Sequence, residues 1–284
     1  MKINILLPLI FLVGFLYGQT SDAQAQKFDA MKIENYIAKL PAPIKITMAV
    51  ESIAGEKYFM YRAQVKVPAA SIIKIPVLAA LMEKVKLGQI DLNAKHLLQA
   101  TDKTWDTGVI ASMPDGKQIS IRELAQEMIR TSDNTATNIL IGKVGMAGVN
   151  QNLIRLGSTQ TRLNRIMLDT MAVKQGRENY VNTLEINDLL RKIYRKEVAT
   201  PALCEEMIEM LKNCADTATI PNKLPKTLVI AHKTGSLSYV RSDAAIVYTS
   251  EPFIISVFVE GFASETQAEQ IIADLAALCW ENLK

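Results

Sequence analysis

Leu228-Val229-Ile230-Ala231-His232-Lys233-Thr234-Gly235-Ser236, Ser242-Asp243-Ala244-Ala245-Ile246-Val247-Tyr248 and Phe253-Ile254-Ile255-Ser256-Val257-Phe258-Val259-Glu260 follow one another as strand patterns with short polar links. Serial strands joined this closely pair as an antiparallel meander. Two more strand patterns lie near the other end of the chain, Ile44 to Val50 and Lys57 to Arg62, with Ala54-Gly55 in the turn between them. From Ala70 to about Ala215 the signals are helical instead. The two ends of the chain must therefore meet to build one sheet, with a helical segment inserted between them.

The helical reading rests on particular residues. Phe28, Ile33, Ile37 and Leu40 have helical spacing, and Pro41 and Pro43 stop that helix. Ser71 to Lys86 reads as one helix ending at Gly88. Ser120-Ile121-Arg122-Glu123 is a capping box, opening a helix to about Arg130. Another begins just after Asn134 and continues towards Val144. Ile186, Leu189, Leu190 and Ile193 form an i, i+3, i+4, i+7 stripe. Thr200-Pro201 opens a helix with proline at its favoured first position. A last capping box, Ser264-Glu265-Thr266-Gln267, starts a helix to about Leu283, with Ile271, Leu275 and Leu278 on its core face. The expected fold class is α/β of the α+β type, an antiparallel sheet flanked by N- and C-terminal helices. The α/β lobe comprises 26–69 plus 216–284, and the inserted all-helical lobe comprises 70–215. Together they form a single catalytic domain, 26–284, with a cleft between the lobes.

The chain has 284 residues, 49% of them apolar and 21% charged, enough for a substantial core and too few charges for bulk disorder. Its net charge of +3 comes without a concentrated basic run, which argues against a nucleic-acid partner. Residues 1–25 read as a secretory signal: Lys2 supplies a positive start, Ile3 to Phe15 is almost wholly apolar, and Ala23-Gln24-Ala25 is a small-x-small cleavage site. The competing reading, an uncleaved anchor, needs ~20 apolar residues to span a bilayer, and this stretch falls short. The expected mature protein is periplasmic or secreted, begins near Gln26, and is a monomer with no membrane span. Cys204 and Cys214 read as sharing one helix, about 15 Å apart and too far for a disulfide. With Cys279 they are expected as small buried hydrophobes. No HExxH, CxxC or metal-ligand spacing occurs, so no metal or other cofactor is expected.

Three short motifs carry chemistry: Ser71-Ile72-Ile73-Lys74, Ser132-Asp133-Asn134 and Lys233-Thr234-Gly235. A serine hydroxyl needs a base to become a nucleophile. Positions i and i+3 of a helix share a face, so Lys74 lies beside Ser71. An amine works as that base only when burial and a second cation, here Lys233, lower its pKa. Ser71 at a helix start directs backbone N–H dipoles at the reacting carbonyl, and the Ser236 N–H completes an oxyanion hole with that of Ser71. Ser132, on an inter-helix turn, can pass a proton to a leaving nitrogen. Lys233, on an edge strand, can hold a substrate carboxylate or polarise Ser132. Singly each motif reads more readily as a solvated polar cluster; their order and their elements make the combination specific.

With Pro68-Ala69-Ala70 before the serine, Thr135-Ala136-Thr137-Asn138 after the second motif, and Leu163-Asn164-Arg165, the chain resembles the class A β-lactamase and penicillin-binding-protein superfamily over nearly its whole mature length. The resemblance implies that Ser71 is acylated with Lys74 as its partner and Ser132 as proton relay. It implies that Asn134 binds the substrate amide, and that Lys233, Thr234, Gly235 and Ser236 bind the substrate carboxylate side. Arg241 and Asp243 resemble a family Arg-x-Asp pair. Arg241 is expected to hold an anionic substrate group through its bidentate fork, the alternative being an ion pair across the strand. One departure matters. Class A enzymes place a deacylating Glu and then an Asn after Thr-Arg-Leu-Asp-Arg; here those positions are Met167 and Met171. Met167-Leu168-Asp169 followed by Gly176-Arg177-Glu178-Asn179 resembles a divergent branch of β-lactamase-like serine hydrolases. Asp169 is the nearest spare carboxylate for a deacylation base, or else a residue ordering its loop through backbone amides.

Other residues read less sharply. His232 should face away from Lys233, which disfavours a Ser-His-Asp triad, and no Gly-x-Ser-x-Gly elbow is present. His96 has no visible partner. Trp105 lines the cleft mouth or packs. The expected function is opening of a β-lactam amide through an acyl-Ser71 intermediate. The alternatives are a D-Ala-D-Ala peptidase, or related amide or ester hydrolase, acting on a peptidoglycan-like substrate, and a slowly deacylating β-lactam-binding sensor or sink.

Overall fold

Residues 28–284, apart from Thr107, are described by the computed structural model. The signal reading of residues 1–25 lies outside them. The elements in chain order are α1 (Ala30–Ala38), β1 (Lys45–Ser52), β2 (Lys57–Tyr61), β3 (Val67–Pro68), a 3-10 turn (Ala70–Ile73) and α2 (Lys74–Lys86). Then come β4 (Lys95–Leu97), β5 (Gln118–Ser120), α3 (Ile121–Arg130), α4 (Asn134–Val144), α5 (Met146–Arg155), α6 (Thr170–Lys174) and β6 (Tyr180–Val181). The chain closes with α7 (Thr183–Tyr194), α8 (Pro201–Lys212), β7 (Val229–Leu237), β8 (Val240–Tyr248), β9 (Phe253–Glu260) and α9 (Glu265–Leu283).

The ends of the chain do meet. The five-stranded sheet has the order β2-β1-β9-β8-β7, antiparallel throughout, so β7 is an edge. Period-two alternation sends Ile255, Val257 and Val259 of β9 to one face, against Ile33 and Ile37 of α1 and Ile271, Ile272 and Leu275 of α9. Ile254 and Phe258 point to the opposite face, into the core that holds α2, α7 and α8. Burial on both faces is why β9 reads as an almost unbroken apolar run. Asn187 of α7 ties to this second face by donating to the Ala49 carbonyl (3.2 Å) and accepting from the Ser256 hydroxyl (2.6 Å).

The caps follow the sequence. Ser120 and Glu123 close a complete capping box on α3, and Thr200 with Pro201 opens α8. At α9 the Ser264 hydroxyl accepts from Gln267 N (3.2 Å), but the Gln267 side chain reaches Ala263 N rather than the cap residue (2.8 Å). Three further details differ from expectation. The helix expected from Ser71 begins as the 3-10 turn, and α2 proper starts at Lys74. Pro76 has no N–H to offer the Ile72 carbonyl, so the first turn cannot wind as α through that point. β7 and β8 run further into their hairpin than read, to the pair Leu237↔Val240, which sets Arg241 directly opposite Ser236. Cys214 lies beyond the end of α8 rather than on it, because Asn213 caps the helix. Among the described residues all three cysteines are unpaired and buried.

Candidate active site

Gly235 shows how closely the sheet edge meets the Ser71 turn. A Cβ at Gly235 would lie 2.6 Å from Ser242 Oγ, 3.1 Å from Ala70 Cβ and 3.2 Å from Ser71 N. Only glycine admits that approach, and it sets the Gly235–Ser236 backbone beside the Ser71 amide, as an oxyanion hole requires. Ala70 holds a left-handed φ of 46°, turning the chain sharply into the serine. Ser71 itself is half-buried and borders a cleft of about 340 Å³, together with Asn134, Met167, Asp169, Ser236 and Tyr239.

Lys74 is fully buried. Its ammonium donates to the Ser132 carbonyl (2.6 Å), the Ser132 hydroxyl (3.0 Å) and Asn134 Oδ1 (2.9 Å). Burial and then the nearby Lys233 charge hold the Lys74 amine well below its ordinary value, against the opposing pull of Asp133 and Asp106. Ser132 sits at φ 61°, a left-handed conformation rare for serine. The middle residue of its motif fixes that turn. Asp133 caps α4 by accepting from Ala136 N (2.8 Å), and its other oxygen accepts from Ile110 N (2.8 Å).

Asn134 and Lys233 are both committed to partners within the protein. Asn134 accepts from Lys74 and donates its amide to Asp106 Oδ2 (2.7 Å). Asp106 in turn accepts from the Thr104 hydroxyl, which meets that of Thr135 at 2.7 Å. Nothing in the sequence pattern singles out Asp106: no motif contains it, and no helical or strand spacing relates it to Asn134. Lys233 is fully buried; its ammonium donates to the Thr234 carbonyl (2.9 Å), and burial pushes its pKa down. His232 faces the other way, as the strand period requires. Its Nδ1 lies 3.1 Å from both oxygens of Asp243, which is also held by the Thr219 hydroxyl (2.7 Å). Burial alone would lower the imidazole, but Asp243 outweighs it and raises its pKa to about 10. His96 pairs with Asp102 at 2.8 Å, away from Ser71, and Trp105 is largely exposed beside a neighbouring cavity.

Arg241 differs most from its expected use. It is only 3% exposed, and its fork is filled from within. Asp216 lies at 2.7 Å, Glu269 at 2.8 Å and Glu265 at 3.4 Å. An open bidentate face for a substrate anion is therefore not what the geometry offers. Arg241 keeps the Asp216 pKa low despite partial burial. The Ser236 hydroxyl is exposed and donates to Glu265 Oε1 at 2.7 Å.

The loop from Arg162 to Asn179 closes the far wall. A buried ion pair, Arg165 to Glu178 at 2.7 Å, spans its base, and Asn179 accepts from the amides of Asn164 (2.7 Å) and Arg165 (3.0 Å). Met167 is pinned from both sides by Asn138, which accepts from its N–H (2.8 Å) and donates to its carbonyl (3.1 Å). Its thioether borders the cleft with nothing to accept a proton. Asp169 uses Oδ1 to cap α6, accepting from Ala172 N at 2.9 Å, and also borders the cleft. That is the loop-ordering role, with one carboxylate oxygen left over. Met171 is exposed.

The chain is similar in sequence and in fold to known proteins. Beta-lactamase VEB-1 of Pseudomonas aeruginosa is 23% identical to the chain over 97% of it and 95% of VEB-1. The crystal structure of a beta-lactamase from Sphaerobacter thermophilus superposes with a TM-score of 0.83 at 26% identity, covering 89% of this chain and 97% of that one. PBP-A, in an acyl-enzyme complex of a variant with penicillin G, superposes with a TM-score of 0.81 at 22% identity over 89% and 95% of the two chains, a likeness of fold. The sequence pattern of the beta-lactamase enzyme family matches residues 30–283, and the chain belongs to that family.

Proposed function

We propose that the protein is an exported serine hydrolase that opens a β-lactam, or a related amide or ester, through an acyl-Ser71 intermediate. The observation that carries this is Lys74: a fully buried amine with a depressed pKa, just along the chain turn from Ser71 and 3.0 Å from the Ser132 hydroxyl. In its neutral form Lys74 takes the Ser71 proton as Oγ attacks the carbonyl carbon. The Ser71 and Ser236 amides bear the developing oxyanion. The carbonyl–nitrogen bond then breaks, with its electron pair leaving on nitrogen, and the proton reaches that nitrogen through Ser132. Deacylation returns the acyl group to water and the proton to Ser71. Residues 26–284 act as one catalytic unit after removal of the leader, working as a monomer outside the cytoplasm. No helix among the described residues is long and apolar enough to cross a membrane.

A second reading is favoured by a specific observation, Met167 at the wall where a deacylating carboxylate is expected. It is a slowly deacylating protein that holds β-lactams as a sensor or sink, or a peptidase using the same acylation groups. An intact-mass time course with benzylpenicillin separates these. Transient acylation of Ser71 with product supports the hydrolase, and a persistent adduct supports the sink or peptidase. No adduct with benzylpenicillin or its esters refutes the acyl-serine chemistry altogether.

A further inference from the structure

Three consecutive residues at the second motif are each held by one loop, the connection between β4 and β5. Asp133 accepts from Ile110 N (2.8 Å), Asn134 donates Nδ2 to Asp106 Oδ2 (2.7 Å), and Thr135 Oγ1 accepts from Thr104 N (3.0 Å). The loop lies close against the motif: a Cβ at Gly108 would sit 2.6 Å from Asp133 Oδ2. The Asp106 contact differs in kind from the other two, because its partner Asn134 borders the cleft with Ser71. Asp106 is itself gripped from two sides. Its Oδ1 accepts from the Thr104 hydroxyl, and that oxygen meets the hydroxyl of the fully buried Thr135 on α4 at 2.7 Å.

A side-chain amide has two ends of nearly equal shape, and its partners decide which end carries the oxygen. At Asn134 the Lys74 amine donates to Oδ1 at 2.9 Å, and the Asp106 carboxylate accepts from Nδ2 at 2.7 Å. While Lys74 is an ammonium, both partners exclude a flipped amide. Once Lys74 is neutral, as the base for Ser71 must be, its lone pair would accept equally well from an amide N–H. A flip at that moment would cap the lone pair that Ser71 needs. Only the Asp106 carboxylate, which requires a donor, still opposes it. One N–H of Asn134 goes to Asp106, and the second is left for a substrate carbonyl.

We infer that Asp106 is a positioning residue for acylation: it locks the Asn134 amide with its oxygen towards Lys74, and so keeps the Lys74 lone pair for Ser71. The inference rests on the acyl-serine reading and adds to its site a residue that acts through Asn134. The charge of Asp106 also bears on the amine. Burial and Lys233 hold Lys74 low, whereas Asp133 and Asp106 pull it up. Removing the Asp106 charge therefore lowers the Lys74 pKa further.

The test follows acylation of Ser71 by benzylpenicillin across pH, read by intact mass. It compares the parent with Asp106→Asn, Asp106→Ala, Asn134→Ala and the double variant Asp106→Asn/Asn134→Ala. On the high-pH plateau Asp106→Asn should acylate about thirtyfold more slowly, the size of a hydrogen bond to a charged group. Its rising limb should move to lower pH. In the Asn134→Ala background the same change should alter the plateau by less than about twofold, since no amide is left to orient. The limb should still move there, because the charge acts through space. A residue with a merely structural role would give a loss that adds in full and a limb that stays in place. Either result overturns the inference, as does a limb that moves to higher pH. Failure of both Asp106→Asn and Asp106→Ala to fold overturns it too, by making Asp106 a structural residue. An absence of any adduct in the parent instead sinks the acyl-serine reading, and the positioning role with it.

Discussion

Replacing Met167 by Glu should shorten the life of the acyl-enzyme. The backbone at this position is held between two hydrogen bonds to Asn138, at 2.8 and 3.1 Å, and the loop is clamped by the buried Arg165–Glu178 pair. A new side chain of similar length therefore starts from a fixed point on the cleft wall that Ser71 also borders. General-base catalysis is typically worth 10²–10⁴-fold, about 3–5 kcal/mol of barrier, and Met167 supplies none of it. The site is nearly closed, with Met167 8% exposed, so a carboxyl there will have a raised pKa. Part of the gain is then lost at neutral pH and recovered as pH rises. The expected acceleration of deacylation is about 10²-fold at neutral pH, with a stability loss of about 1–3 kcal/mol from burying a polar group. The assay is the decay of the Ser71 adduct after excess benzylpenicillin is removed, read by intact mass alongside product formation. Asp169→Asn is the companion variant. If it deacylates at the parental rate, Asp169 only caps α6 and another group acts on the water. The reasoning is refuted if the parent shows no burst, with its steady-state rate limited by acylation, or if Met167→Glu leaves adduct decay unchanged in a folded protein.

Lys233→Ala removes a cation that depresses the Lys74 amine, so the rising limb of the acylation pH profile should move to higher pH; an unmoved or acid-shifted limb contradicts the placement of the two amines. Gly235→Ala drives a methyl to 2.6 Å from Ser242 Oγ and 3.2 Å from Ser71 N, and should lower acylation by about 10²-fold with circular dichroism unchanged, the size of a lost oxyanion donor. Asp243→Asn leaves the buried His232 without its counter-charge and should destabilise the protein by about 3–5 kcal/mol in denaturant unfolding. The sign of its pH dependence is fixed by the raised imidazole pKa. The stability that His232 contributes is complete below about pH 6.5 and is lost as pH climbs towards about 10. The gap between parent and Asp243→Asn should therefore narrow as pH rises through that window.

What the sequence disclosed and what it concealed divide along the range of the interactions. The Ser71–Lys74 spacing, the strand identity of Lys233-Thr234-Gly235 and the caps at Ser120 and Thr200 are local facts, fixed by helical and strand periods within a few residues. The sheet was legible because a meander at one end of the chain needs partners, and the remaining strands lay at the other end. The charge of the cleft was not legible, since it is set by residues that meet only in the folded chain. Asp106 reaches Asn134 from another loop, and Asp216, Glu265 and Glu269 converge on Arg241 from the α8–β7 loop and from α9. Read as a motif, Arg241 is a free fork aimed at an anion; read with its neighbours, it is the buried counter-ion of an acidic corner. The motif and the corner do not conflict. The proposed acylation draws on Ser71, Lys74, Ser132 and two amides, which local spacing places, whereas the surroundings of Arg241 come from Asp216, Glu265 and Glu269, which no local spacing relates to it.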